Sequence, residues 1–169
     1  LASRQIDWKT RPFHLVAKDS HPSNEKWYGR LIIPTFKDDK LIFWQGRDLT
    51  GLHTKKYLSP PVQRDNILTG YEHIKQYTKD PLYIVEGWFD AYHLNGVAVY
   101  GNKLTANQTT WINKSNRPKV VIPDRQGDGH LLAIQALELG WSISTPDIGS
   151  CKDVNDAIVK YGELYTRMS

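Results

Sequence analysis

The chain has 169 residues, 40% of them hydrophobic, with six tryptophans and a formal net charge of +4. That length suits one sizeable domain or two small ones sharing a core, and the apolar share excludes a disordered chain. No run approaches the roughly 18 apolar residues that span a bilayer, and a lone Cys151 excludes an internal disulfide and a cysteine-based zinc site.

No basic-then-apolar leader opens the sequence, which starts at Leu1 rather than methionine. The expectation is a soluble intracellular fragment of a longer protein, with no membrane partner. The charge is uneven. Residues 1–66 carry twelve Lys/Arg against seven Asp/Glu, and residues 67–169 carry ten against eleven. The basic excess is interleaved with Trp8, Trp27, Tyr28, Trp44 and Tyr57. Such a mixture suits nucleic-acid backbones and exposed bases, and equally a solvated surface over core aromatics.

In chain order, residues 1–29 lack regular periodicity, with Pro12, Pro22 and Gly29 as punctuation, which predicts loops or an edge region. LIIPTF (31–36) and LIFWQGR (41–47) read as two strands joined by a polar KDDK hairpin loop. Pro34 should put the first at an edge or beside a bulge. Pro60 and Pro61 forbid a helix in the connector 55–66. From Ile67 the pattern alternates. Helices are predicted over 67–79, 88–94, from Thr105, 130–140 and 153–162. Strands are predicted at YIVEG, VAVYG (97–101), KVVIPD and WSISTP. Thr105 and Gln108 have capping-box spacing, and Gly140 and Gly162 end helices. Strands alternating with helices imply a mostly parallel sheet flanked by helices, an α/β fold preceded by a smaller basic α+β part. Ligands in such sheets bind at the strands' carboxyl ends, where Glu86 and Asp124 fall.

Those two acids repeat one design. PLYIVEGWFD and PKVVIPDRQGDG each run an apolar strand into a carboxylate close to a glycine. An acid after a buried strand is costly to bury, so it should face a cleft, a metal or a cation. Hard oxygen donors at strand ends suit Mg²⁺, which keeps waters and takes one or two carboxylates plus substrate phosphates. Gly87 suggests close backbone approach or a strained turn. Asp90 lies one helical turn beyond Glu86 and either adds to the acidic cluster or caps the loop.

VEGWFDAYHL followed by VVIPD resembles the Toprim domain of primases, topoisomerases and several nucleases. GRLIIPTFKDDKLIFWQGRDLTG, KKYLSPP and NILTGYEHIK resemble the segment ahead of Toprim in DnaG-type primases. The resemblance covers roughly residues 29–160. It implies a basic N-terminal subdomain over 1–66 and a Toprim domain over 67–169. It also implies Glu86 and Asp124 as catalytic residues, and metal binding by Glu86, Asp90, Asp124, Gln126, Asp128 and Asp153. Here the usual acid–any–acid pair is replaced by Asp124–Arg125–Gln126. Gln126 keeps only a carbonyl ligand, and Asp128 either takes over or is an N-cap. Asp153 is an N-cap or part of the acidic rim, and Asp156 favours the helix dipole. Arg30, Arg47, Lys56 and Arg64 match positions that bind nucleotide phosphates or template, with Lys55 and Lys103 weaker candidates. The histidines at 14, 21, 53, 73, 93 and 130 have no zinc spacing, and His130 reads as surface.

The resemblance implies a compact, phage-like DNA primase core. It would join ribonucleoside triphosphates on single-stranded DNA with Mg²⁺ or Mn²⁺ during DNA replication, beside a replicative helicase. The expected location is the cytoplasm of a bacterial cell or phage-infected host. A Toprim nuclease and a catalytically degenerate module that binds nucleic acid or replication proteins are the alternatives.

Overall fold

The structure, a computed structural model, describes all residues except 1, 8, 10–12, 18–21, 126, 127, 152 and 163–169. Trp8, Gln126 and Gly127, singled out from the sequence, therefore lie outside the described residues. The chain forms two compact units, 1–63 and 64–169.

The first unit is built on an antiparallel sheet of β1 (His14–Leu15), β2 (Arg30–Lys37), β3 (Lys40–Asp48) and β4 (Tyr57–Leu58), in that order. Residues Leu31, Ile33 and Thr35 of β2 point inward at the strand period of two. The β2–β3 hairpin closes on Asp38 and Asp39, both left-handed (φ 49° and 59°), the pairing a tight two-residue turn requires. Pro34 lies beyond the two residues that β1 pairs, Leu31 and Ile32, so its missing N–H costs no bond on that side. The β2–β3 register shifts immediately after it, between Thr35 and Phe36. The proline-bounded connector contributes β4, which the sequence did not suggest. It pairs with Gly46 and Arg47.

The second unit carries a parallel sheet of β5 (Leu82–Val85), β6 (Val97–Ala98), β7 (Lys119–Val121) and β8 (Ser142–Ile143), in the order β6-β5-β7-β8. Its helices are α1 (Tyr71–Ile74), α2 (Trp88–Leu94), α3 (Ala106–Ile112), α4 (Gly129–Glu138) and α5 (Val154–Tyr161). Alternate strand residues feed two cores. Leu82, Ile84, Val97 and Val121 pack with Ile74 of α1, Ile112 of α3 and Leu132 and Ala136 of α4. Val85 and Ala98 pack on the other face with Ala91 and Leu94 of α2 and Val154 and Ile158 of α5. Both faces are covered, so the strands read as continuous apolar runs. The molecule is thus a mixed α/β fold, as expected. Among the described residues no helix is long and apolar enough to cross a membrane.

The predicted helix over 67–79 shrinks to the single turn of α1. Thr69 bridges Ala98 in antiparallel fashion, holding the preceding segment extended. Gly70 is left-handed at φ 76°, and a Cβ there would stand 2.2 Å from the Gly96 carbonyl oxygen. The glycine serves that close approach and ends the helix on its N-terminal side. The strands at 97–101 and 141–146 are likewise two-residue elements. By contrast α3 starts on the predicted capping box: the Gln108 amide donates to Thr105 Oγ1 at 3.1 Å, and the Thr105 amide to Gln108 Oε1 at 2.9 Å. Gln108 does more than cap. Its buried Nε2 donates to the carbonyls of Ile67 (2.7 Å) and Val99 (3.0 Å), fixing the segment before α1 to the end of β6.

Candidate functional site

The carboxyl ends of β5 and β7 are neighbours because β5 and β7 pair directly, Ile84 opposite Val121. Each strand hands its last apolar residue to a turn, so Glu86 and Asp124 emerge side by side. The Asp124 amide donates to Glu86 Oε1 at 3.4 Å. Glu86 is partly buried and its carboxyl is pushed up to about 7, first by burial, then by the negative charge of Asp124, with a smaller push from Asp128. Asp124 and Asp128 are exposed.

Gly129 explains how the strand-end turn fits. A Cβ on it would lie 2.3 Å from the Asp124 carbonyl oxygen and 3.1 Å from Glu86 Oε1. The start of α4 therefore packs directly on the Asp124 backbone, and only glycine permits it. The sequence signal is the second glycine of the GDG run. Asp128 itself occupies the N-cap position of α4 without a capping bond from its side chain. Its Oδ2 accepts from Asn102 Nδ2 at 3.3 Å.

Asp90 and Asp153 both serve the start of α5. Asp153 is its N-cap, accepting from the Asp156 amide at 2.8 Å. Asp90, only 9% exposed, reaches across from α2 to accept from the Asn155 amide at 2.8 Å. Two amides that a helix start leaves open are thereby satisfied by two carboxylates. Burial raises Asp90 to about 7, with Asp153 and Asp124 adding to the shift and the Asn155 amide opposing it. Gly87 has ordinary extended backbone (φ −109°), so it is not a strained turn. A Cβ there would meet Asp90 Oδ2 at 3.2 Å, so its role is close approach.

A cavity of about 350 Å³ opens beside these groups, lined among others by Asp90, Asp124, Arg125, His130, Thr145 and Asp153. That is the size range of small-ligand sites. Arg125 donates to the carbonyls of Pro146 (2.8 Å) and Gly149 (2.9 Å), tying the turn after β7 to the loop ahead of α5. The sequence gives Arg125 only as the unspecified middle position of the acid–any–acid motif, and Thr145 stands in no motif. His130, read as surface, is exposed and borders this cavity.

Among the described residues no three His, Cys, Asp or Glu side chains stand close enough to enclose a metal ion. Glu86 and Asp124 nonetheless present adjacent hard oxygens whose mutual repulsion lifts the Glu86 carboxyl, the condition a bound cation relieves. That donor set fits Mg²⁺ held by one or two carboxylates with waters and phosphate oxygens completing the shell.

The basic candidates divide. Arg30 is 2% exposed, and its guanidinium donates to the carbonyls of Lys26 (2.9 Å), Lys55 (2.9 Å), Gly46 (3.4 Å) and Lys56 (3.4 Å). The phosphate-binding role expected for it does not fit a buried group already donating to four backbone oxygens. Arg47 stacks over the Tyr57 ring at 5.0 Å and donates to its hydroxyl, and exposed Lys56 stands 5.9 Å from the same ring. In the second unit Arg64 is exposed and donates to the Tyr100 carbonyl at 3.3 Å, and Lys103 is exposed.

No family model matches the chain. No curated protein matches it by sequence. Solved structures do. The primase of Aquifex aeolicus (zinc-binding and RNA polymerase domains) superposes with a TM-score of 0.69 at 22% identity, over 92% of this chain and 42% of that one. The catalytic core of Escherichia coli primase gives 0.63 at 25% identity, over 85% and 53%. A DnaG primase catalytic domain bound to single-stranded DNA gives 0.66 at 21% identity, over 89% and 59%. The chain thus spans about half the length of the structures it matches. It has the fold of DnaG-type primase catalytic cores.

Proposed function

We propose that this chain is the nucleotidyl-transfer core of a DNA primase, in which a Toprim-type sheet carries the acidic site. One observation carries the reading: Glu86 and Asp124 stand together at the carboxyl end of the parallel sheet, beside a ligand-sized cavity, in a primase-core fold. A Glu86 carboxyl near 7 is balanced between its two protonation states at neutral pH. It is suited to give up its proton when a cation binds, since a metal ligand must be deprotonated. Asp124 keeps that carboxyl basic, and Arg125 fixes the loop across the cavity by its two carbonyl bonds. Mg²⁺ or Mn²⁺, when bound, would be held by Glu86 and Asp124 with Asp128 at the rim, and would activate the attacking 3′-hydroxyl and neutralise charge at the α-phosphate. Asp90 and Asp153 support this site from behind by holding α5. Arg47 and Lys56 in the first unit, with Arg64 and Lys103 in the second, are the cations offered to template and triphosphate phosphates.

The test uses the purified chain with labelled ribonucleotides, a single-stranded DNA template, a preformed dinucleotide primer and Mg²⁺ or Mn²⁺. Template-dependent extension should fall about 100-fold or more in Glu86→Gln. Template degradation would sink the reading in favour of a nuclease. Binding without any product would favour a module that only binds nucleic acid, the reading suggested by Gln126 standing where the Toprim family carries its second acid.

A further inference from the structure

A second groove, of about 450 Å³, opens at the opposite end of the same parallel sheet. The segments that line it, 74–79 and 114–118, lead into β5 and β7, whereas Glu86 and Asp124 follow those strands. Its walls carry Lys75, Lys79 and Lys114, all exposed, with Asn116 between them. The floor is rigid. Arg117 is buried and its guanidinium donates to the carbonyls of His73 (3.0 Å), Asp80 (2.9 Å) and Pro81 (2.6 Å). Among the described residues no acid lines the groove. Of the nearest two, Glu72 stands 3.8 Å from His73 Nε2, and Asp80 Oδ2 accepts from Thr78 Oγ1 at 3.2 Å.

Tyr77 sits on the rim with 96% of its surface exposed. A tyrosine in water beside three lysines has no packing role in this chain. It does offer a face on which a base can stack, while the lysines offer point charges to the phosphates on either side. Lys114 already lies 3.6 Å over the Trp111 ring, so its ammonium is held at the groove edge rather than sweeping freely. An acidic protein segment would also meet the lysines, but protein interfaces concentrate their energy in buried apolar anchors enriched in large side chains, and the exposed lining here offers only Pro118 beside Tyr77.

We propose that the groove formed by Lys75, Tyr77, Lys79, Lys114 and Asn116 is a second binding track for single-stranded nucleic acid, remote from the acidic site. Three lysine–phosphate contacts make a definite demand on salt dependence, because each neutralised phosphate on a single strand contributes about 0.7 to the slope of log affinity against log salt.

The experiment measures fluorescence anisotropy of a labelled single-stranded oligodeoxynucleotide across a salt series. It uses the full chain in a Glu86→Gln background so that no turnover intervenes. Lys75→Ala/Lys79→Ala/Lys114→Ala should lower the slope by about 2. The matching triple Lys→Arg variant should keep slope and affinity, which also controls for folding. Tyr77→Ala should weaken binding about tenfold with the slope unchanged. An unchanged slope in the triple alanine variant overturns the proposal. So does a polyglutamate peptide that binds with the same lysine dependence while Tyr77→Ala has no effect, since that describes an acidic protein partner. The readout is affinity alone, so a failure of primer extension leaves this inference standing, and its failure leaves the priming reading standing.

Discussion

The two units handle buried charge in opposite ways. The antiparallel unit buries a cation, Arg30, whose guanidinium collects carbonyl oxygens from β3, from the 3₁₀ helix Pro22–Trp27 and from the irregular connector before β4. The parallel-sheet unit buries an anion, Asp90, which collects an amide from the first turn of α5. Each choice follows from what the local backbone leaves open. A short 3₁₀ helix and an irregular connector packed against a hairpin turn carbonyls towards one point, and a five-donor fork can serve several at once. A helix start leaves amides, which only an acceptor can serve. Arg117 repeats the first solution in the second unit, where the chain before β5 is again irregular. Ionisable residues in this chain therefore sort by the backbone beside them, and those left on the surface near a cavity are the ones available for chemistry.

Breaking the first unit's solution should have the largest effect. Arg30→Ala removes four bonds to carbonyl oxygens, of which the Lys56 oxygen keeps a backbone donor, the Asp48 amide at 2.9 Å, and should cost about 3 kcal/mol in denaturant unfolding. Arg30→Lys, with one ammonium for the same four oxygens, should recover only a minor part. If Arg30→Ala unfolds with the wild type, the guanidinium is not a tie and the contrast with Asp90 fails.

Gly129→Ala tests whether the acidic turn depends on backbone contact. The added methyl meets the Asp124 carbonyl at 2.3 Å, so the turn must shift. A destabilisation of about 2 kcal/mol is expected, together with loss of primer extension larger than the stability loss explains. Wild-type extension by Gly129→Ala would show that Asp124 need not stay where α4 holds it.

The anion sharpens the comparison through pH. Asp90 is raised from the ordinary 3.8 to about 7 and Glu86 from 4.5 to about 7. For a raised acid the folded state holds a proton that the unfolded state has already lost. Stability is therefore greatest below the ordinary values, falls as pH rises towards 7, and levels off above it. The denaturant midpoint should be lower at pH 8 than at pH 5. Asp90→Asn keeps an acceptor for the Asn155 amide and removes the charge, so it should flatten that decline. Asp90→Ala should instead lose about 1–3 kcal/mol at every pH. Identical pH profiles for wild type and Asp90→Asn would mean that burial does not raise the Asp90 carboxyl.

Some of this was legible in the residues. The capping box from Thr105 to Gln108, the KDDK turn and the alternation of apolar strands with helices are local or near-local patterns, and each appears where the spacing put it. So does the adjacency of Glu86 and Asp124, because parallel strands in register bring their carboxyl ends to one edge. The helix over 67–79 failed for the opposite reason. Its apolar periodicity was real, but the Thr69–Ala98 bridge and the approach of Gly70 to Gly96 override a local preference with contacts from about thirty residues away.

The sequence by itself determined the alternation of strands and helices in the second unit, its parallel sheet and which two acids would share an edge, since these follow from periodicity and strand direction. Only the tertiary structure decided what each charge does. Arg30 lies inside because hairpin and connector carbonyls converge on it, Asp90 sits under α5 because α2 and α5 pack on one face of the sheet, and Gly129 is required because α4 begins on the Asp124 backbone. A side chain's partners are set by segments distant in sequence, and no spacing rule along the chain encodes them.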